Sequence, residues 1–197
     1  LGGLLSGRGE AVNRTIEKLD TMSSRLIFEV NKLHSTGASA RGLSGATGTL
    51  VMPLADRTRA LNDPANQTMA ALPFQPANGS FLVRVKNTAS GAEQEIRINV
   101  DLDGITSAGT PGTTDDTSLD SLRASLAGVP GLSASVTADG KLDVRAADGY
   151  SFTFGEDTSG VLAVLGVNSF FQGSDASDVS VRSDLLSDST LLTAGRI

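Results

Sequence analysis

Among residues whose type and spacing bear on chemistry, the run Asp101-Leu102-Asp103-Gly104 comes first, because it opens like a calcium loop. Carboxylates at alternate positions can converge on one hard cation. An EF-hand then requires Asp or Asn at its fifth position and Glu at its twelfth, where this chain has Ile105 and Gly112. Turn chemistry at the end of a strand explains the run without an ion, and a partial site that adds Asp115 and Asp116 is also compatible with the sequence. Glu156-Asp157 is a carboxylate pair of the type glycoside hydrolysis employs, but adjacency in sequence gives no opposed geometry, and helix capping accounts for Asp157. His34 is the only histidine and lies where a helical pattern ends, which suits the negative end of a helix dipole. The Gly-rich runs at 6–9 and 42–48 carry neither phosphate-binding spacing. With no Cys, thiolate chemistry and disulfides are excluded within these residues. No catalytic, cofactor-binding or metal-binding residue is assigned from the sequence, and no cofactor is expected.

The element that must position anything near His34 is the segment Glu10–His34, free of Pro and Gly. Val12, Ile16, Leu19, Ser23, Leu26, Val30 and Leu33 follow one another at spacings of 4, 3, 4, 3, 4 and 3, a heptad seam rather than a broad core stripe. Val12, Ile16, Leu19, Leu26, Val30 and Leu33 are therefore the candidate helix-packing residues. Pairing within the chain and packing between chains explain such a seam equally well. Leu4 and Leu5 are expected packing contacts before it, with Ser6 a possible cap. Residues 35–48 read as a small-residue connector, and 49–72, interrupted by Pro53 and Pro64, as irregular with one helical turn near 55–61.

From about Pro73 the period changes to two. Phe81, Val83 and Val85, then Ile96, Ile98 and Val100, predict a hairpin. Thr117 with Asp120 fits a capping box ahead of Leu119, Leu122 and Leu126, and Gly128 to Gly131 stops that helix. Asp139-Gly140 turns a second hairpin, and Tyr150, Phe152 and Phe154 give a third alternating run. The order is β-β-α-β-β-β, expected as one antiparallel sheet covered by one helix. Val161–Leu165 reads as a short helix, Val179 and Val181 as an edge strand, and Leu185, Leu186, Leu191 and Leu192 as a return to the helical region.

Charge is divided unevenly: the first 60 residues hold 8 basic and 5 acidic side chains, whereas the remainder holds 8 and 17. An acidic chain with 4% aromatics argues against nucleic-acid binding. No apolar run reaches the length needed to span a bilayer, so no membrane partner is expected. A start at Leu1 rather than Met suggests a segment of a longer protein.

Three stretches carry a resemblance: Leu1–Gly37, Ser118–Val181 with its LGVNSFFQGSDASD run at Leu165–Asp178, and Ser183–Gly195. Together they resemble the central part of the flagellar hook-associated protein 1 family, junction proteins between hook and filament. The match spans nearly the whole chain. It is most specific over Leu26–Gly37 and Leu165–Asp178 and loose over 38–72. The resemblance implies a non-enzymatic structural subunit of the bacterial flagellum, secreted through the flagellar export apparatus and extracellular. Implied partners are the hook protein, the second junction protein, further copies of itself and an export chaperone. It also implies that the segments that polymerise lie outside these residues, so the chain alone should be a monomer.

The expected fold class is α+β: a long heptad helix packed in a rod-like helical domain, with an inserted small antiparallel β-rich domain. The expected divisions are 1–72 (helical rod and connector), 73–170 (β-rich domain) and 171–197 (return segment). Polar substitutions at Leu26 or Val30 are expected to destabilise the helical part. The rival reading is an extracellular adhesin or binding module whose acidic β-rich part recognises a ligand, marked by an exposed aromatic cluster or a calcium site. A carboxylate-dependent hydrolase stands third.

Overall fold

A computed structural model describes residues 2–37 and 42–193, with side chains from Arg8 onward. The expected contributions of Leu4, Leu5 and Ser6 therefore lie outside the described side chains. Helix α1 (Gly2–Ser35) is 34 residues long, about 50 Å at 1.5 Å per residue. From Arg8 to Leu19 every side chain is exposed, so more than one-third of the helix has no tertiary cover among the described residues.

Strand β1 (Gly45–Thr47) and two single-turn helices, α2 (Leu54–Arg57) and α3 (Gln67–Ala70), follow. Next come β2 (Gly79–Asn87), β3 (Glu93–Val100), α4 (Leu119–Ala127), β4 (Leu132–Val136), β5 (Leu142–Ala146) and β6 (Tyr150–Gly155). The chain closes with α5 (Val161–Val164), β7 (Phe171–Gln172), β8 (Ser180–Val181), α6 (Ser183–Ser187) and a 3-10 turn at Ser189–Leu191. No helix among the described residues is long and apolar enough to cross a membrane.

The strands form three antiparallel sheets, ordered β3-β2-β6, β1-β5-β4 and β7-β8. The first hairpin sets Phe81 opposite Ile98 and Val83 opposite Ile96, the register in which the alternating apolar residues share a face. Instead of continuing one sheet, the β4–β5 hairpin pairs with β1, and β6 crosses back to the free edge of β2. The core draws on both larger sheets and on α4. It holds Phe81, Val83, Phe152, Phe154, Val144 and Leu122, with Met52, Leu61 and Met69 from the segment before β2.

Two expectations are corrected. The described residues do not form a rod-like helical domain: among them α1 has no second long helix beside it, and the next longest helix, α4, has 9 residues. The β-rich part is not one sheet under one helix but two three-stranded sheets, because the small-residue stretch 45–47 supplies a strand to β5. A finer point concerns α4. Its N-cap is Ser118, which accepts from Ser121 N, while Ser121 Oγ accepts from Ser118 N. Thr117 Oγ1 instead accepts from Asp101 N and closes the preceding loop.

Candidate functional site: two faces of the long helix

Helix α1 carries two stripes. At 100° per residue, the seam through Val12, Ile16, Leu19, Leu26 and Leu33 and the line through Ser24, Ile27, Asn31 and His34 lie about 100° apart around the axis. Both recur at alternating spacings of 3 and 4, but their environments are opposite. The seam residues Val12, Ile16, Leu19, Leu26 and Leu33 are 46–58% exposed, Met22 beside them is also exposed, and Val30 is half-buried. Ser24, Ile27, Asn31, His34 and Ser35 are buried. The chain thus covers the more polar stripe of its long helix and leaves the apolar one in solvent.

The cover is the strap that follows α5, which runs antiparallel to α1 and meets it turn by turn. Asn168 donates from Nδ2 to the carbonyl oxygens of His34 (3.5 Å) and Ser35 (3.3 Å), satisfying acceptors left open at a helix C-terminus. Asn31 Oδ1 accepts from Phe170 N (2.9 Å) and Phe171 N (2.8 Å), and its Nδ2 donates to Phe171 O (3.1 Å). Further toward the N-terminus, Ser24 Oγ donates to Ser174 O (2.5 Å), and Ala176 N donates to Asp20 Oδ1 (3.3 Å). Thr193 returns beside His34, where its Oγ1 donates to the His34 carbonyl at 2.8 Å. Phe28, on the margin of the covered stripe, stacks on Phe74 at 4.9 Å.

The buried stripe escapes a hydrophobicity-based reading because three of its four members are polar. Its signal is the repeat of Ser24, Asn31 and His34 around Ile27, visible only once hydrogen-bonding residues count as packing residues.

Of the carboxylates weighed for chemistry, Glu156 and Asp157 are engaged in structure. Asp157 accepts from Ser159 Oγ, Gly160 N and Leu162 N and so anchors the start of α5. Glu156 pairs with Arg97 at 3.2 Å. Both border a cleft of 510 Å³ whose lining also includes Glu29, Lys32, Leu33 and Thr36 of α1, and in it Asp157 is committed to the α5 cap and Glu156 to Arg97. A cleft of 270 Å³ between α1 and the Leu72–Phe74 segment is lined by Ser24, Phe28, Asn31, Leu50 and Phe74 among others, and no lining side chain is ionisable. General acid–base chemistry therefore has no donor there. His34 is buried, and desolvation is the largest influence on it, lowering its pKa from the ordinary histidine value.

A scan against protein-family models and a search of curated proteins found no match to this chain.

Proposed function

We propose that this chain is a non-enzymatic structural segment of a bacterial flagellar axial protein, a hook-associated junction subunit that works outside the cell. The observation that carries the reading is the uncovered apolar seam of α1. Twelve consecutive exposed residues, Arg8 to Leu19, are a marginal helix in isolation, since helical stability in proteins comes chiefly from tertiary packing of one face. A heptad seam on such a helix fits another helix. In the proposed assembly that helix belongs to neighbouring axial segments: the hook protein, the second junction protein or further copies of this subunit. An export chaperone is a further partner on this reading, met before assembly. Residues 1–197 alone stay monomeric in light scattering on this reading.

The test places Leu19→Ser and Leu26→Ser together in the full-length protein in its native bacterium. The expected outcome is export of the protein with loss of attached filaments. Normal filaments and normal swimming would overturn the proposal.

The adhesin reading draws on one observation, a cluster of carboxylates at Asp101, Asp103 and Asp116. Its other expected mark is missing, because no aromatic ring among the described residues is exposed.

A further inference from the structure

The loop between β3 and α4 brings together side chains that neither the seam nor the strap uses. One carboxylate oxygen from each of Asp101, Asp103 and Asp116 lies within 4.8 Å of the other two. Asp101 and Asp103 are exposed, whereas Asp116 is only 6% exposed. None of the three has a Lys or Arg among the described ion pairs. Clustered acids are common at surfaces and do not by themselves make a site.

The orphaned oxygens of the buried member supply the second observation. Asp116 Oδ2 accepts from Asn62 Nδ2 at 2.6 Å and from Gly104 N at 3.1 Å. Asp116 Oδ1 is buried and has no hydrogen-bond donor among the described residues. Asn62 Oδ1, on the side chain bound to Asp116, is likewise buried without a donor. A carboxylate oxygen and an amide oxygen, both acceptors only, are thus withdrawn from solvent on two side chains that are bonded to each other, with no donor among the described residues. Native proteins rarely leave such atoms unpaired unless another group serves them. With two further carboxylates at the same place, a cation is the partner whose charge suits these acceptors.

We propose that Asp101, Asp103 and Asp116, with the amide oxygen of Asn62, form a calcium site. The donor set is all oxygen, which suits a hard cation and not zinc or copper. Calcium accepts irregular sets of oxygen ligands, whereas magnesium demands near-octahedral geometry and gives up its waters reluctantly. The ion would fasten the β3–α4 loop to the segment around Asn62, which already meets that loop through Leu61 N and the carbonyl of Thr117 at 2.8 Å. Asp101 and Asp103 are the two positions singled out by their spacing. Asp116 and Asn62 complete the set from farther along the chain and from another loop, which is why the EF-hand pattern fails while the chemistry persists. The site stands apart from the seam of α1 and does not depend on the flagellar reading.

The test is a calcium chloride titration of the ¹⁵N-labelled chain after chelator treatment, followed by amide shifts. Saturable movement of the Gly104, Ile105 and Asp116 amides is expected, with a dissociation constant of roughly 10⁻⁵–10⁻³ M. Asp101→Asn with Asp103→Asn, both at exposed positions, should weaken binding at least tenfold while leaving the chelator-treated melting temperature unchanged. The proposal is overturned by shifts that do not saturate by roughly 10 mM calcium, well above the weakest such affinity. It is equally overturned by a double variant that binds like the parent, or by magnesium binding as tightly as calcium.

Discussion

His34 Nδ1 lies 2.8 Å from the carbonyl oxygen of Asn168, 134 residues later in the chain. The contact joins the two ends of the β-rich region at the foot of α1. A carbonyl only accepts, so this partner assigns the ring proton to Nδ1. Nε2 then faces Thr193 N at 3.5 Å as an acceptor. A neutral imidazole satisfies both neighbours, whereas an imidazolium would set one donor against another. Burial lowers the His34 pKa and the nearby Arg182 adds to that, against the opposing pull of the Asn168 carbonyl and Asp184.

The sign of the resulting pH dependence follows from proton uptake. Once the pH falls below about 6.5, the unfolded chain binds a proton at His34 that the folded chain resists. Stability should therefore decline from about pH 6.5 downward, level off below the folded value, and be unaffected by His34 above neutrality. Urea midpoints of the parent and of His34→Gln between about pH 5 and 7.5 check this. The parent should show a slope that the variant lacks. Equal slopes would remove His34 from the account.

Asn31 holds the strap with three hydrogen bonds from one amide, two accepted and one donated. Asn31→Asp keeps the acceptors but turns an anionic oxygen toward the Phe171 carbonyl. The expected loss is about 1–3 kcal/mol, the range for a buried polar group left without its partner. Hydrogen exchange should quicken at the Phe170 and Phe171 amides while the central amides of β2, such as Val83, keep their protection. If β2 exchanges faster by the same factor, the strap and the sheet open as one unit.

Gly166 has φ +67°, and a Cβ there would overlap Thr49 Oγ1 and stand 2.9 Å from Thr49 N. Thr49 N is itself bound to the Leu165 carbonyl at 3.1 Å, so the two segments cannot separate freely. Gly166→Ala should cost at least about 2 kcal/mol, combining left-handed strain with overpacking. Adding Thr49→Gly should recover the side-chain part of the overlap, but neither the 2.9 Å approach to Thr49 N nor the left-handed strain. A Gly166→Ala chain with an unchanged denaturation midpoint would contradict this account.

These residues also mark what the sequence discloses. The hairpin that sets Phe81 opposite Ile98 was legible as a hairpin, though not in its register, because period-two alternation reports which side chains share a face. Alternation says nothing about which strand lies alongside, so the exchange of partners by β1, β5 and β6 was not. Gly45–Thr47 lies in a stretch read as a connector, because its place in the sheet is set by backbone bonds to β5 and small side chains leave no pattern. The seam of α1 was legible for the same reason that it misled. Hydrophobic period identifies a face made for packing, and the fold packs the face carrying Asn31 and His34. Asn62 and Asp116 meet across 54 residues, a separation no local spacing rule reaches.

The exposure of Leu26 reverses the expected effect of changing it. At 55% exposed, with the strap on another face, Leu26 contributes little to holding this chain together. Leu26→Ser should shift stability by no more than about 0.5 kcal/mol, apart from a small helix-propensity loss. The same substitution in the full-length protein should weaken assembly, because a polar side chain in a heptad seam removes a knob from its hole. Ile27→Ser, one residue away but buried, is the matched control. It should destabilise the chain by about 2 kcal/mol or more through lost burial. Chemical denaturation of both variants separates the faces. If Leu26→Ser proves as costly as Ile27→Ser in this chain, the seam is covered in solution and is no longer free for a partner.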